Sequence, residues 1–460
     1  VVSHEWPGCH FRYPGEQDMA RTWPNYTMPM RLLQENGYHT VTSSIFAQRH
    51  AARWFNSGFS EVLNPTKPTN HENSSSINPR MLHWLEGNFA RHENLFLHIN
   101  YWDAHTPYHP DPKIREKVVK EPTGDCPDAN TISHHNKNAY GPKTARDIMI
   151  RNAPNYTSPN RSLMPDEIQD RKSFKTMLDS YDGSIATVDS AIGEIITWLK
   201  DRGLYEDTAI IISADHGEAI GQMGMYFEHG LAVDQVAHVP LIIRWPGITD
   251  QAENAGRHND ALIYQYDFMA TIFDLLGIRK PEMWSARSLR ALIESDGFGE
   301  VNAYQGREYL VFGCGILSLQ RCVRTTDYSY VKTIHPGTYP LPSQALYDTR
   351  KDPDCTLNLA DPEDPTVPLQ NRVSRSVVPQ GEIDAMERRY AEWWEHWCTG
   401  PDAVIDPMHI QTPSFRYFPE DAMFDRLRQL NREDQVEDLE RRLTRDKRSV
   451  VLNHLTESRI

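Results

Sequence analysis

A carboxylate and an imidazole follow an apolar run that has the composition of a buried strand. Asp215 and His216 come directly after Ile-Ile-Ile-Ser at 210–213, and Gly217 follows them. A β-branched run bounded by small residues is typical of a strand that is buried on both faces of a parallel sheet. Open α/β sheets bind ligands beyond the carboxyl ends of their strands, so the pair is predicted to face a cleft. Both side chains are good metal ligands, and we predict that they bind a metal.

Two further segments bring the same side-chain types to the predicted sheet edge. Asp103 and His105 follow a strand-like run at 93–100, and Glu228 and His229 lie in a glycine-rich loop. Three segments thus supply three histidines and several carboxylates. Such a group suits a divalent metal, and it also suits an anionic ester whose non-bridging oxygens need cations or proton donors. A lone histidine is usually structural, whereas three that converge indicate a site.

The elements that carry these turns alternate as in an α/β protein. We predict helices over 29–38, 174–199 and 264–276, and strands near 40–42, 93–100, 210–213 and 239–245. The helix 174–199 has aliphatic residues at helical spacing from Ile185 to Leu199, and the order helix, turn, strand predicts a parallel α/β unit. The segment 108–165 is rich in Pro, Asn, Asp and His without periodicity, which predicts an insertion or lid rather than core.

The predicted secondary structure changes after about residue 301. Short strand-like runs at 309–312, 322–325, 328–332 and 344–348 predict a small antiparallel sheet, and charged helical stretches follow at 382–397 and 421–443. We therefore predict an α/β fold in residues 1–300, with a mostly parallel central sheet flanked by helices. A small antiparallel α+β subdomain should occupy 301–400, and a helical carboxyl-terminal extension 401–460.

Composition excludes several classes of protein. The chain has 460 residues, a net charge of -15 and 39% hydrophobic residues. So acidic a chain lacks the clustered Lys and Arg that a nucleic-acid partner requires. No stretch approaches the ~20 apolar residues of a membrane span, so we expect a soluble globular chain without a membrane partner. The six cysteines are scattered without Cys-x-x-Cys spacing, which argues against a cysteine-based metal site.

Several motifs together resemble those of the sulfatases, in the alkaline phosphatase superfamily. The segment 212–247 resembles the second metal motif and the following strand of that family. Four further matches occur in the family's order. They are Gly-Tyr-His-Thr at 37–40, Asp-Ala-His-Thr-Pro at 103–107, the Tyr-x-x-x-Ile-x-x-x-Asp helix motif at 181–189, and Leu-Tyr-Asp at 346–348 followed by Asp-Pro and Asn-Leu-Ala. The resemblance extends from about residue 30 to 360 and implies an alkaline phosphatase-like fold.

The resemblance implies a role for each of the polar turns. Asp215 and His216 would be two ligands of one divalent metal, with calcium expected first and manganese, zinc or magnesium as alternatives. His105 would hydrogen-bond the sulfate or protonate the leaving oxygen. His229 would contact the substrate, and Asp103, in the same turn as His105, is a further candidate for substrate binding.

One stretch of the family pattern is replaced in this sequence. Where the family has Gly-Lys-Trp-His after its Gly-Tyr-x-Thr strand, this chain has Phe-Ala-Gln-Arg-His at 46–50. We predict that His50 or Arg49 supplies the missing cationic contact with the substrate. A plain helix surface is an equal alternative for both residues.

The expected reaction is hydrolysis of a small-molecule or glycan sulfate ester by a formylglycine nucleophile. The family's nucleophile motif, Cys/Ser-x-Pro-x-Arg, and its first-strand Asp pair are not present, and we expect both upstream of Val1. Cys9 has no proline two residues later and is not expected to be the formylglycine precursor. Many sulfatases have Asn where His216 stands, and an imidazole suits manganese, zinc or iron better than an oxygen-lined calcium site. A phosphonate monoester or phosphodiester hydrolase is therefore one alternative, and a non-catalytic protein that binds a sulfated ligand is another.

Overall fold

The computed structural model describes most of the chain between residues 28 and 444. The described residues are 28–49, 53–63, 73–137, 163–165, 167–251, 255–282, 284–294, 306–337, 339–399, 406, 408, 424–425, 427–428 and 431–444. No helix in these ranges is both long and apolar enough to cross a lipid bilayer.

Helices and strands alternate in the first two thirds of the described chain, as predicted. The α-helices are α1 (Pro29–Glu35), α2 (Phe46–Arg49), α3 (Ser74–Asn88), α4 (Pro112–Val118), α5 (Ala129–Lys137), α6 (Arg171–Asp201), α7 (Asp234–Ala237), α8 (Asp267–Leu275), α9 (Arg290–Glu294) and α10 (Gln380–Cys398). The strands are β1 (His39–Ser43), β2 (Glu61–Val62), β3 (Leu95–Ile99), β4 (Ile210–Ser213), β5 (Ala219–Ile220), β6 (Tyr226–Glu228), β7 (Leu241–Arg244), β8 (Leu310–Cys314), β9 (Leu319–Arg324), β10 (Tyr328–His335) and β11 (Gln344–Asp348). Short 3-10 helices lie at Arg53–Asn56, Phe89–Arg91, Tyr205–Asp207, Gln222–Gly224, Leu369–Asn371 and Arg375–Val377.

A three-stranded parallel sheet lies between two layers of helices. Its strand order is β2-β1-β3, and the ladder pairs Val41 with Glu61 on one side and with Leu97 on the other. Successive side chains of a strand point to opposite faces. Leu97 therefore packs with α3 and α6, whereas Phe96 packs with α1 and α8. The predicted mostly parallel α/β fold is confirmed.

The strand that carries Asp215 has an antiparallel neighbour. β4 pairs with β7 in the antiparallel direction, with Ile210 opposite Arg244. The predicted parallel unit, in which α6 leads from β3 to β4, stays a prediction, because no ladder between described residues joins these two strands. The isoleucines of β4 are only half buried, which corrects the expectation of a strand buried on both faces. An apolar β-branched run fits either direction, because the connection sets the direction. The segment 214–240 returns to β7 without the long crossover helix that a parallel neighbour needs.

β4 nevertheless lies in the same layer as the parallel sheet. Ile210 belongs to the apolar cluster beneath α3 and α6, and Ile211 to the cluster beneath α1 and α8. These are the clusters that Leu97 and Phe96 of β3 enter, so both strands are enclosed by the same two helical layers. Within the described ranges no ladder joins β3 to β4.

A few residues in the described part of segment 108–165 enter the core, which the sequence did not predict, although most of residues 111–131 are exposed. Tyr108 and Ile132 are fully buried and pack with Phe174 and Phe227. His135 is also buried, and its ring nitrogens lie 2.8 Å from the Tyr226 hydroxyl and from the Thr366 carbonyl. Polar residues thus enter this core because they find hydrogen-bond partners, which a sequence without apolar periodicity does not reveal. Residues 138–162 lie outside the described ranges.

Helix α6 is confirmed, and its buried face differs from the predicted one. Asp170 begins the helix with a capping box, in which its side chain accepts a hydrogen bond from the Ser173 N–H. Ile185 is 45% exposed, whereas Gly183 and Ser184 are buried. A Cβ at Gly183 would lie 3.1 Å from the Pro110 Cβ, so small residues form the contact with the segment before α4. The buried face was predicted from the spacing of aliphatic residues, and that spacing does not reveal the close approach of Gly183 to Pro110.

The predicted antiparallel sheet is also confirmed. Its strand order is β11-β10-β9-β8, and all neighbours pair in the antiparallel direction. Val323 packs towards α10, whereas its neighbour Cys322 joins a cluster with residues of the segment 219–236. One core thus combines residues from both sides of the boundary predicted at 301, and that division stays a prediction. In the predicted helical extension 401–460, residues 433–444 form an α-helix.

Candidate active site

Three predicted histidines converge beyond the carboxyl ends of β3 and β4. The ring centroids of His216 and His229 are 4.0 Å apart and the two rings are stacked. His105 approaches His229 edge to face, with 5.8 Å between the centroids. Three segments that are far apart in the sequence therefore deliver one imidazole each to a single group.

Glu218 completes this group and was not among the predicted site residues. Ligand atoms of His216, Glu218 and His229 all lie within 4.8 Å of one another. Glu218 is only 4% exposed, and its Oε2 is 3.9 Å from His229 Nδ1. Burial raises the pKa of the Glu218 carboxyl, and the nearby His229 partly opposes this. We call His105, His216, Glu218 and His229 the histidine group.

Glu218 could have been predicted as a site residue, because it directly follows the Asp-His-Gly motif. A buried carboxylate in such a motif must find a cation or a proton, because an unpaired buried charge is costly. The neighbouring His229 lies eleven positions after Glu218 in the chain. Only the β5–β6 hairpin, which pairs Ala219 with Glu228, brings them together.

Backbone contacts hold the three segments at close range. The Gly217 N–H donates to the Val236 carbonyl at 2.8 Å, and a Cβ at Gly217 would lie 2.2 Å from the Gln235 carbonyl oxygen. Only glycine therefore fits between His216 and Glu218. On the other side of the group, the Thr106 hydroxyl donates to the Phe227 carbonyl at 3.1 Å, which ties the His105 turn to β6.

Hydrogen bonds to carbonyl groups orient two of the imidazoles. His216 Nδ1 is 2.9 Å from the Gly217 carbonyl, and His105 Nδ1 is 2.6 Å from the Thr106 carbonyl. A carbonyl oxygen only accepts, so each Nδ1 carries a hydrogen and each neutral ring offers its Nε2 lone pair. This is the arrangement that metal-binding histidines commonly have.

The remaining predicted residues have different surroundings. The Asp215 side chain is 71% exposed, with Oδ2 at 3.7 Å from His216 Nε2. Asp103 is 1% exposed, and its carboxylate accepts hydrogen bonds of 2.8 Å from the Ser74 N–H and hydroxyl at the start of α3. Burial raises the pKa of Asp103, against the effect of these two bonds. Its contacts are those of a loop anchor, and its role in substrate binding stays a prediction.

The predicted replacement for the family's cationic stretch lies at the end of a described range. His50 lies outside the described residues. Arg49 is the last residue of α2, and only its backbone is described. Both stay predictions as substrate contacts.

The histidine group has the donors that a divalent metal requires. Two imidazole nitrogens and one carboxylate oxygen form the closely spaced set, and the exposed Asp215 carboxylate lies beside it. Such a mixed nitrogen and oxygen set suits zinc or manganese, whereas calcium prefers six to eight oxygen ligands. His105 lies at the edge of this set, where it can face a ligand rather than the metal.

Comparison with known proteins identifies the family. The sequence profile of the sulfatases matches residues 24–278, and that of the N-sulphoglucosamine sulphohydrolase carboxyl-terminal region matches residues 221–378. Arylsulfatase K of Gallus gallus is 28% identical over 214 residues, which cover 46% of this chain and 38% of that protein. The chain thus aligns with about two fifths of the length of the curated relatives that it matches.

Solved structures share the fold. A protein in complex with its substrate D-glucosamine-2-N,6-O-disulfate superimposes with a TM-score of 0.57 at 16% identity, covering 82% of this chain and 84% of that chain. A phosphonate monoester hydrolase from Silicibacter pomeroyi superimposes with a TM-score of 0.53 at 18% identity, covering 80% and 79%. The fold is therefore that of the alkaline phosphatase-like enzymes. Because the sulfatase profile matches more than half of its residues, the chain belongs to the sulfatase family.

Proposed function

We propose that this protein hydrolyses sulfate esters and that its substrates are sulfated glycans. The convergence of His216 and His229 on buried Glu218, with His105 beside His229, in a chain of the sulfatase family, is the observation that carries the proposal. A relative by fold is named with a disulfated glucosamine as its substrate, which supports the glycan class. The protein from Gallus gallus is named an arylsulfatase, which supports the ester chemistry.

The histidine group can bind the ester and transfer a proton. Imidazole changes its protonation near neutral pH, so His229 can hydrogen-bond an anionic sulfate oxygen while His105 protonates the leaving oxygen. His105 approaches the group from the β3 side, whereas the closely spaced ligand atoms come from the β4–β6 side. This geometry supports a division of roles in which His105 transfers the proton and residues of the β4–β6 side hold the metal. The attacking group would be the formylglycine hydrate that the family resemblance implies.

His216 and Glu218, with Asp215 beside them, would hold the metal. A bound divalent cation would stabilise the negative charge that develops on the ester oxygens. The resemblance made calcium the first expectation, and the imidazole donor of His216 shifts our proposal to manganese or zinc. Metal analysis of the purified protein, followed by chelation and return of single metals, tests this; full activity restored by calcium alone would contradict it.

A phosphonate monoester hydrolase is the second candidate. Both sulfate monoesters and phosphonate monoesters carry one negative charge, so the histidine group suits either by charge. The imidazole of His216 in the metal site, and the fold shared with a phosphonate monoester hydrolase, favour this candidate. Relative turnover of the two ester types decides between them.

Parallel assays of the protein, produced from its whole reading frame, test both candidates. We expect an aryl sulfate to be hydrolysed faster than an aryl phosphonate. The His105→Ala variant should lose about 10²- to 10⁴-fold in kcat for a sugar sulfate, as expected when a general acid is removed. The loss should be smaller for a nitrophenyl sulfate, whose leaving group does not need a proton. His258→Ala, at an exposed histidine of a loop, is the matched control.

Each outcome has a defined meaning. Turnover of the phosphonate alone would refute the sulfatase proposal in favour of the second candidate. Binding of a sulfated glycan without turnover of either ester would identify a binding protein. An equal loss for both leaving groups in His105→Ala would contradict proton transfer by His105.

A further inference from the structure

A second cluster of metal-ligating side chains lies at the opposite edge of the parallel sheet. His39 is the first residue of β1, Glu61 begins β2, and His92 lies in the loop before β3. The ligand atoms of these three residues lie within 4.8 Å of one another. The five residues of β1 separate this edge from the carboxyl ends by roughly 13 Å. The cluster is thus distinct from the histidine group.

The three side chains already contact one another closely. His39 Nε2 is 2.8 Å from Glu61 Oε1, and the His39 and His92 rings stack with 3.7 Å between their centroids. Both rings are partly exposed, as is the Glu61 carboxylate, so an ion from solvent can reach them. The hydrogen bond between His39 and Glu61 holds a proton at the position that a cation would take.

Trp84 holds the carboxylate in place from helix α3. Its indole N–H donates to Glu61 Oε2 at 2.8 Å, and its ring plane lies within 4° of that of His92. Trp84 is buried, so this bond is fixed by the core that also positions β1. A carboxylate with one oxygen held by a protein donor and the other directed at an imidazole has the outer hydrogen bond that orients metal ligands.

The charge of the cluster also suits a cation. Burial raises the pKa of Glu61, but hydrogen bonds from Trp84 and His39 outweigh it, so the pKa lies below its ordinary value. The carboxylate is therefore ionised throughout the neutral range. A neutral imidazole, the ordinary form above about pH 6.5, keeps a lone pair on one nitrogen.

We propose that His39, Glu61 and His92 form a second metal site, which takes Zn²⁺ or another divalent cation that prefers imidazole ligands. Two histidines and one glutamate are a zinc donor set that leaves a coordination position open. Ring lone pairs lie in the ring plane, so the stacked rings reach one ion only when one of them turns. His92, in a loop, is the ring that turns. The ion would join β1, β2 and the loop before β3, and its role is to stabilise the sheet.

Zn²⁺ binding to the metal-stripped protein tests the proposal, with a chromophoric chelator as competitor. His92→Ala should bind one equivalent fewer than the unchanged protein, or bind it at least tenfold more weakly. Glu61→Gln retains an acceptor for Trp84 and removes the charge. It should lower the affinity for the same Zn²⁺ ion by a similar factor. His83→Ala, at an exposed histidine of α3, is the matched control and should retain every equivalent.

A second readout does not depend on turnover or on the number of sites. Zn²⁺ should raise the thermal midpoint of the unchanged protein and of His83→Ala more than that of Glu61→Gln. Protons compete with the ion for the imidazole lone pairs of His39 and His92, so binding should be weaker at lower pH. Equal stoichiometry, affinity and thermal shift in the unchanged protein, Glu61→Gln and His92→Ala would overturn the proposal. Since Glu61→Gln conserves shape, a failure of His92→Ala to fold leaves the test intact.

Discussion

Replacement of Gly217 by alanine tests how the histidine group is positioned. An alanine Cβ at this position would lie 2.2 Å from the Gln235 carbonyl oxygen and 3.7 Å from the Val236 Cα. The obstacle is backbone, so no side chain can rotate away. The two segments must separate by about 1.2 Å to reach ordinary contact at 3.4 Å.

The magnitude follows from two contributions. Overpacking of this kind costs about 1–3 kcal/mol. Separation of the segments also breaks the 2.8 Å hydrogen bond from the Gly217 N–H to the Val236 carbonyl, which contributes about 1 kcal/mol. We therefore expect Gly217→Ala to lower the free energy of unfolding by about 2–4 kcal/mol. His216 and Glu218 flank the glycine, and a shift of ~1 Å in catalytic groups can reduce turnover by about 10²-fold.

Thermal unfolding and steady-state turnover together measure both effects. The thermal midpoint should fall by roughly 4–8 °C. Gly193→Ala is the matched control, because a Cβ there meets nothing within 4 Å and the residue lies inside α6. Alanine should stabilise that helix by about 0.5–1 kcal/mol. A Gly217→Ala protein with an unchanged midpoint and unchanged turnover would refute the argument that backbone contact positions the group.

Two further predictions concern buried polar residues away from the candidate site. Burial lowers the pKa of His135 to about 4, against an ordinary value of 6.5, so the folded state binds fewer protons and stability is lost as the pH falls from 6.5 to 4. This loss amounts to about 3 kcal/mol; urea unfolding at several pH values should show a smaller decline for His135→Gln, and parallel pH profiles would contradict the assignment. Arg321 and Asp406 form a buried ion pair with Nε and Oδ2 at 3.0 Å, so Arg321→Met should lower the free energy of unfolding by about 3–5 kcal/mol. The double variant Arg321→Met with Asp406→Leu should recover much of this stability in the same assay, and an equal loss in single and double variants would show that the pair is not the cause.

The confirmed predictions all rest on local patterns. Helix α6 was predicted from its apolar spacing, and the antiparallel strands from their short strand-like runs. These signals need no partner, because a helix or strand must bury one face wherever it lies. The burial of His135 and of Tyr108 was missed for the converse reason, since a polar residue enters a core only when distant atoms satisfy it.

The sequence by itself determined which chemistry is available and where it enters the chain. Asp215, His216 and His105 were predicted from residue types that follow apolar runs, His229 from its place in a glycine-rich loop, and the family resemblance from the order of the motifs. The tertiary structure decided what lies together: the β5–β6 hairpin brings Glu218 to His229, and the connection after β4 places β7 beside it in the antiparallel direction. It also placed His39, Glu61 and His92 in one cluster. Spacing along the chain does not encode such contacts, because strand pairing joins residues of any separation.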